Sequence, residues 1–147
     1  IIEQTKAYKK RVKYIPESHT FSETEYDSLM YMRNFPFSYG WIKETGTPPQ
    51  KHLDVILISD EDYELGDEKG IKLIGVFIRE DGDHKLISVL NENKKVKDLS
   101  DLTKSELNQL YSLYPKVLEN EGWYGKEKAD KVVENYLLST NKIENLY

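Results

Sequence analysis

Asp54 stands inside an apolar run, Leu53-Asp54-Val55-Ile56-Leu57-Ile58. A carboxylate in such a run is costly to bury unless a cation, a donor or a metal faces it. Its other reading is a solvated strand-end residue holding a turn. His52-Leu53-Asp54 puts two ligand-type side chains two residues apart, on one face of a strand. The pair is either a metal-ligand couple or a loop-edge histidine beside an unrelated carboxylate. Glu80-Asp81-Gly82-Asp83 is both a hairpin turn by its Asp-Gly step and a carboxylate pair suited to a hard cation. Lys85 follows at once and offers positive charge to an anionic ligand. No Walker loop, dinucleotide fingerprint, G-x-S-x-G elbow or H-E-x-x-H helix accompanies these residues.

The elements that must carry these groups read as strands first and helices later. Arg11 to Ile15 alternates as a half-buried strand does, and Phe35–Thr45, Leu53–Ser59, Ile71–Arg79 and Lys85–Leu90 follow as strand candidates. Leu53–Ile58 and Ile74–Ile78 are continuous rather than alternating, which marks inner strands. Thr45–Lys51, with adjacent prolines, reads as a loop. Thr103-Lys104-Ser105-Glu106 is a capping box opening a helix whose face carries Leu107, Leu110, Tyr111, Tyr114, Val117 and Leu118, kinked or broken at Pro115. A second helix follows Gly125 with Ala129, Val132, Val133, Tyr136 and Leu137 on one face. One domain over 1–138 and a loosely held tail over 139–147 are expected.

Composition bounds the chemistry. The 147 residues suit one domain, and 38% hydrophobic against 32% charged residues is a foldable balance. A net charge of −5 argues against nonspecific nucleic-acid binding. No cysteine is present, which removes disulfides, thiolate metal sites and thiol nucleophiles and suits a cytoplasmic location. No secretory signal reads from the opening residues, and no run approaches the ~20 apolar residues that span a bilayer. No membrane or nucleic-acid partner is expected.

The order of the motifs resembles the soluble family I inorganic pyrophosphatases. Pro36-Phe37-Ser38-Tyr39-Gly40-Trp41 stands where that family has P-x-x-Y-G-Y/F, and Asp54-Val55 closes its D-x-D-P-x-D-V stretch. A Gly75-Val76 strand, Asp83-His84-Lys85-Leu86 for its D-x-K-L, Leu113-Tyr114-Pro115-Lys116 and Glu121-Gly122-Trp123 complete the series. Ile1-Ile2-Glu3 and Lys13-Tyr14 are similar to its opening strand and K-Y segment. The resemblance implies an α+β fold, a small closed β-barrel of OB-like type flanked by C-terminal helices. It implies Mg²⁺-dependent hydrolysis of diphosphate, with Mn²⁺ as the alternative cation and hexamers or dimers as the family's homo-oligomers.

Residue by residue, the resemblance makes Asp54, Asp81 and Asp83 metal-binding aspartates and Glu3 an outer metal-site carboxylate. Lys13, Tyr39, Lys85 and Tyr114 become the groups holding phosphoryl oxygens, joined by Lys116 if one residue is inserted. Asp54, Asp83, Tyr39 and Lys85 form the implied catalytic set. The departures are specific. Pro49 replaces a metal ligand, Lys51 replaces the carboxylate that activates water, and Asp27 stands in the place of a phosphate-binding arginine, with Arg33 nearby. At ~4 Å an extra like charge beside a cation site costs about 1 to 4 kcal/mol. These losses give a second reading, a catalytically impaired relative that binds a phosphate ligand or a protein partner.

Overall fold

A computed structural model describes residues 1–145 of the chain. Eight strands form in chain order: β1 (Ile2–Gln4), β2 (Lys10–Ile15), β3 (Thr20–Asp27), β4 (Ser38–Trp41), β5 (Asp54–Leu57), β6 (Ile71–Ile78), β7 (Lys85–Leu90) and β8 (Gly122–Gly125). Three α-helices join them: α1 (Leu29–Met32), α2 (Lys104–Tyr111) and α3 (Lys126–Asn145). Six strands make one sheet in the order β1-β4-β5-β7-β6-β8, and β2 with β3 makes a separate hairpin. The result is the expected α+β, barrel-like arrangement, with no ladder pairing the two outer strands β1 and β8. No helix among the described residues is long and apolar enough to cross a membrane.

β5 and β6, the strands whose sequences run continuously apolar, both lie inside the sheet, as do β4 and β7. β5 and β7 lie parallel, with Asp54 beside Lys85 and Ile56 beside Ile87. Both sheet faces there are covered, which is why neither strand alternates. One face, with Ile56, Ile87, Val89 and Ile74, packs on Phe35, Phe37, Leu110 and Leu113. The other, with Val55, Val76 and Leu86, packs on Ala129, Val132 and Val133 of α3. β6 and β7 are the hairpin announced by Asp81-Gly82. Gly82 takes φ +84°, and its N–H donates to the Arg79 carbonyl at 3.1 Å.

Several elements depart from their sequence reading. β3 was not legible because Thr20–Asp27 is polar and mostly exposed, paired only to β2. α2 opens on the expected capping box, Glu106 N donating to Thr103 Oγ1 at 3.1 Å and Thr103 N to Glu106 Oε1 at 2.9 Å. It ends at Tyr111, so Val117 and Leu118 lie exposed outside it rather than on its apolar face. Tyr114, preceding Pro115, is pushed away from helical geometry, and the Arg33 guanidinium caps the Leu113 carbonyl instead. Gly122–Gly125 forms β8 against β6, with Gly125 facing Gly75 and Trp123 facing Phe77. α3 extends through residues 139–145 of the segment read as a tail, while 146–147 lie outside the described residues.

Candidate active site

The strand ends set the geometry. Asp54 opens β5 and Lys85 opens β7, and parallel pairing brings their side chains out together at the same end of the sheet. β4 runs antiparallel to β5, with Tyr39 opposite Ile56, so Tyr39 lies diagonally across from Asp54 on that face. Asp83 ends the hairpin two residues before Lys85. Residues 39, 54, 83 and 85 thus meet because of register, although 46 positions separate the first from the last.

Lys85 is the centre. Its ammonium donates to Tyr39 Oη at 2.9 Å, Asp54 Oδ2 at 2.8 Å and Asp83 Oδ2 at 3.0 Å. Three donors meet three acceptors, which permits a side chain only 6% exposed to keep its charge. Burial opposes that charge, but Asp54 outweighs it and holds the lysine above its ordinary range. Burial likewise opposes ionisation of Asp54, and Lys85 overrides it, leaving the aspartate below the usual carboxylate range.

His52 and Asp54 do share a face, as their spacing required. His52 Nε2 lies 2.9 Å from Asp54 Oδ1, and Nδ1 lies 2.7 Å from the Gln50 carbonyl. Both ring nitrogens thus face acceptors. Glu3 stands near enough for the Asp54 charge to act on it. Burial first, then that charge, raises its carboxyl to about 7. Burial raises the Tyr39 phenol well above its ordinary value, with Asp54 adding to the effect.

The far wall is aromatic. Phe77 faces Lys85 across the β6–β7 ladder, and Tyr114 stacks on Phe77 with centroids 4.8 Å apart. Burial raises the Tyr114 phenol as well. The Arg79 guanidinium lies 5.4 Å from the Tyr114 ring centre and reaches Asp81 at 3.4 Å and Asp83 at 3.9 Å. Arg79 was not singled out in the sequence. Its signal was a strand-end cation just ahead of an aspartate turn.

Other expected residues fall outside this cluster. Asp81 is 57% exposed and spends Oδ1 on the Asp83 N–H at 2.9 Å, so it tightens the turn rather than joining Asp54. Lys13 lines a groove of about 400 Å³ with Tyr14, Pro16, Glu23 and Pro49. Lys116 is exposed on the segment after α2 and bonds to none of the cluster. Asp27 pairs with Lys10 at 2.7 Å on the hairpin edge, and Arg33 is spent on Leu113. Lys51 turns away as well. Its ammonium lies 5.3 Å from the Tyr136 ring centre on α3, so the repulsion expected beside a cation site is not imposed. Neither this groove nor a cavity of about 340 Å³ near Trp41 and Ile71 is lined by Asp54, Asp83 or Lys85.

The model of the family described as inorganic pyrophosphatase matches residues 1–141. This chain belongs to the inorganic pyrophosphatase family. Among curated relatives, the inorganic pyrophosphatase of Nanoarchaeum equitans is 29% identical over 131 residues, covering 75% of this chain and 82% of the relative. That of Helicobacter pylori strain 26695 is 28% identical over 125 residues, covering 74% and 72%. A crystal structure of the Neisseria gonorrhoeae inorganic pyrophosphatase superposes with TM-score 0.72 at 22% identity, over 96% of this chain and 89% of that one. The Ehrlichia chaffeensis inorganic pyrophosphatase gives TM-score 0.72 at 23% identity, over 92% and 90%. At such identities the structures speak for the shared fold.

The family is metal-dependent, so the donor set has to be weighed for a cation. The acidic side chains at this corner, Glu3, Asp54 and Asp83, offer carboxylate oxygens, which suit a hard cation. The Glu3 carboxyl makes no hydrogen bond or ion pair among the described residues and is open to one. Yet no three His, Asp or Glu side chains among the described residues converge as a metal cage. The fit is to a cation held by one or two carboxylates, with Lys85 already lodged between Asp54 and Asp83.

Proposed function

We propose that this chain hydrolyses inorganic diphosphate to phosphate at the Lys85 corner, with Mg²⁺ as its cation and Mn²⁺ as the alternative. The observation that carries this reading is the buried Lys85 ammonium, held by Tyr39, Asp54 and Asp83 in a chain of this family. Lys85 and Arg79 are cations within reach of the same corner and take the charge of phosphoryl oxygens, and the Tyr39 phenol adds a neutral donor. Glu3, Asp54 and Asp83 are the side chains that would hold the cation. When bound, a divalent cation neutralises phosphate charge and makes water more acidic. Asp83 Oδ1, with no hydrogen-bond partner among the described residues, accepts the proton of the attacking water. Lys85 stabilises the charge that develops on the departing phosphate. The lack of cysteine supports a cytoplasmic setting.

Phosphate release from diphosphate with Mg²⁺ tests this, with Asp83→Asn alongside. Release is expected, and Asp83→Asn should slow it by about 100-fold or more. Release that ignores this substitution would remove Asp83 from the reaction. A second reading is favoured by Pro49 and Lys51, which leave the loop before Asp54 without carboxylates at those positions. It is a phosphate-binding relative with impaired turnover, and it predicts ligand binding without release.

A further inference from the structure

We propose that the groove beside the β2–β3 hairpin is a nucleoside subsite, through which the Lys85 corner also takes nucleoside diphosphates as substrates. The inference rests on the function proposed above and extends its substrate class. The groove, about 400 Å³, is lined by residues of β2, β3 and the loop before β5, including Lys13, Tyr14, Glu17, Ser22, Glu23 and Pro49. That volume suits a small organic molecule. Two carboxylates against one ammonium make it a poor phosphoryl site. None of Lys13, Glu17 and Glu23 forms an ion pair among the described residues. The two carboxylates can therefore accept from ribose hydroxyls, as an acidic side chain does in dinucleotide sites. Tyr14 supplies a ring already held in place, with centroids 5.1 Å from both Phe21 and Trp41 and its Oη 3.2 Å from His19 Nδ1. A fixed aromatic ring flanked by Pro16 and Pro49 suits a base.

Two links join the groove to the corner. Trp41, against which Tyr14 packs, pairs with Asp54 across the β4–β5 ladder. Pro49 is followed by Gln50, whose carbonyl lies 2.7 Å from His52 Nδ1, and His52 Nε2 lies 2.9 Å from Asp54. Pro49 stands where the family motif has an aspartate, so the departure that costs the loop a carboxylate gives the groove an apolar wall. With the nucleoside in the groove, the oxygen of water bonds to the terminal phosphorus as the bond from that phosphorus to the bridging oxygen breaks. The bridging oxygen leaves with the nucleoside monophosphate. One proton of the water passes to Asp83 Oδ1, and the other stays on the released phosphate.

Calorimetry on the full chain with Mg²⁺ tests the subsite. The ligands are methylene diphosphonate and adenosine α,β-methylene diphosphate, whose carbon bridges resist hydrolysis. The nucleotide should bind about 10- to 100-fold more tightly, the scale of stacking one base on an aromatic ring. Ser22→Tyr, at an exposed β3 position that tolerates an aromatic side chain, fills the groove and should erase that preference. Wild type should also release phosphate from ADP. Nucleotide binding no tighter than diphosphonate binding, in a chain that releases phosphate from diphosphate, would overturn the subsite and leave the proposed function standing. A preference that survives Ser22→Tyr would overturn it too, as would ADP that yields no phosphate while diphosphate does. No binding of either ligand, with no release from diphosphate, would overturn the function itself.

Discussion

Glu3 carries the clearest pH signature of any single residue. Its carboxyl is raised from 4.5 to about 7 in the folded chain, by burial and then by Asp54. The folded state therefore binds more protons than the unfolded chain between those values. Glu3's contribution to stability therefore falls as pH rises through that window and levels off above it. The shift corresponds to about 3 kcal/mol. Urea unfolding in metal-free buffer between about pH 4 and pH 8 should show this decline, and Glu3→Gln should remove it. A slope that persists in Glu3→Gln would assign the proton elsewhere. Asp54, Asp83, Lys85 and Tyr39 could be singled out from the sequence because ordered motifs carried them. Arg79 could not, since only the β6–β7 turn and the Tyr114 ring bring it to the corner. The direction Lys51 faces was equally hidden, because the packing of α3 decides it.

At the scale of elements, the strands that were legible are those with a continuous apolar run, and the illegible ones are short or polar. β8 contains two glycines in four residues, so its sequence advertises a turn. Its reason for being a strand lies in β6, where Gly75 lets the Tyr124 carbonyl come close. A Cβ at Gly75 would stand 2.6 Å from that oxygen and 3.3 Å from Leu99 Cβ. Gly75→Ala should therefore prise β8 from β6 and cost about 1 to 3 kcal/mol in chemical denaturation. An unchanged midpoint would mean that β8 can shift without loss. The shorter α2 follows similar logic. Periodicity continued past Tyr111, but Pro115 and the capture of the Leu113 carbonyl by Arg33 ended the helix early.

At the scale of the whole molecule, one sheet carries the site, and both of its faces are buried against other parts of the chain. The β2–β3 hairpin packs through Tyr14 and Phe21 on Trp41, at centroid distances of 5.1 and 6.3 Å, while Trp123 packs with Phe77 and Tyr111 at 4.4 and 5.0 Å. The two tryptophans thus report on different parts of one structure. If those parts unfold together, fluorescence melts of Trp41→Phe and Trp123→Phe, each compared with its own far-UV signal, should give coincident midpoints. Separate midpoints within one variant would show the hairpin side melting apart from the sheet. Apart from β8, which follows α2, the strand-first, helix-later order could be read from hydrophobic pattern, and so could the inner places of β5 and β6, whereas β4 and β7, also inner, carried no such mark. The convergence on Lys85 could not, because parallel pairing of β5 with β7 is a tertiary choice that neither strand's sequence records. That pairing underlies the whole site.

The most direct measurement is the steady-state rate of phosphate release from diphosphate and Mg²⁺ by wild type and by Asp54→Asn. The substitution keeps the shape of the side chain and removes the charge that holds Lys85 in place. Mg²⁺-dependent release by wild type, reduced about 10- to 100-fold in Asp54→Asn, is the expected result. Equal rates in the two proteins would contradict the assignment of the reaction to this corner.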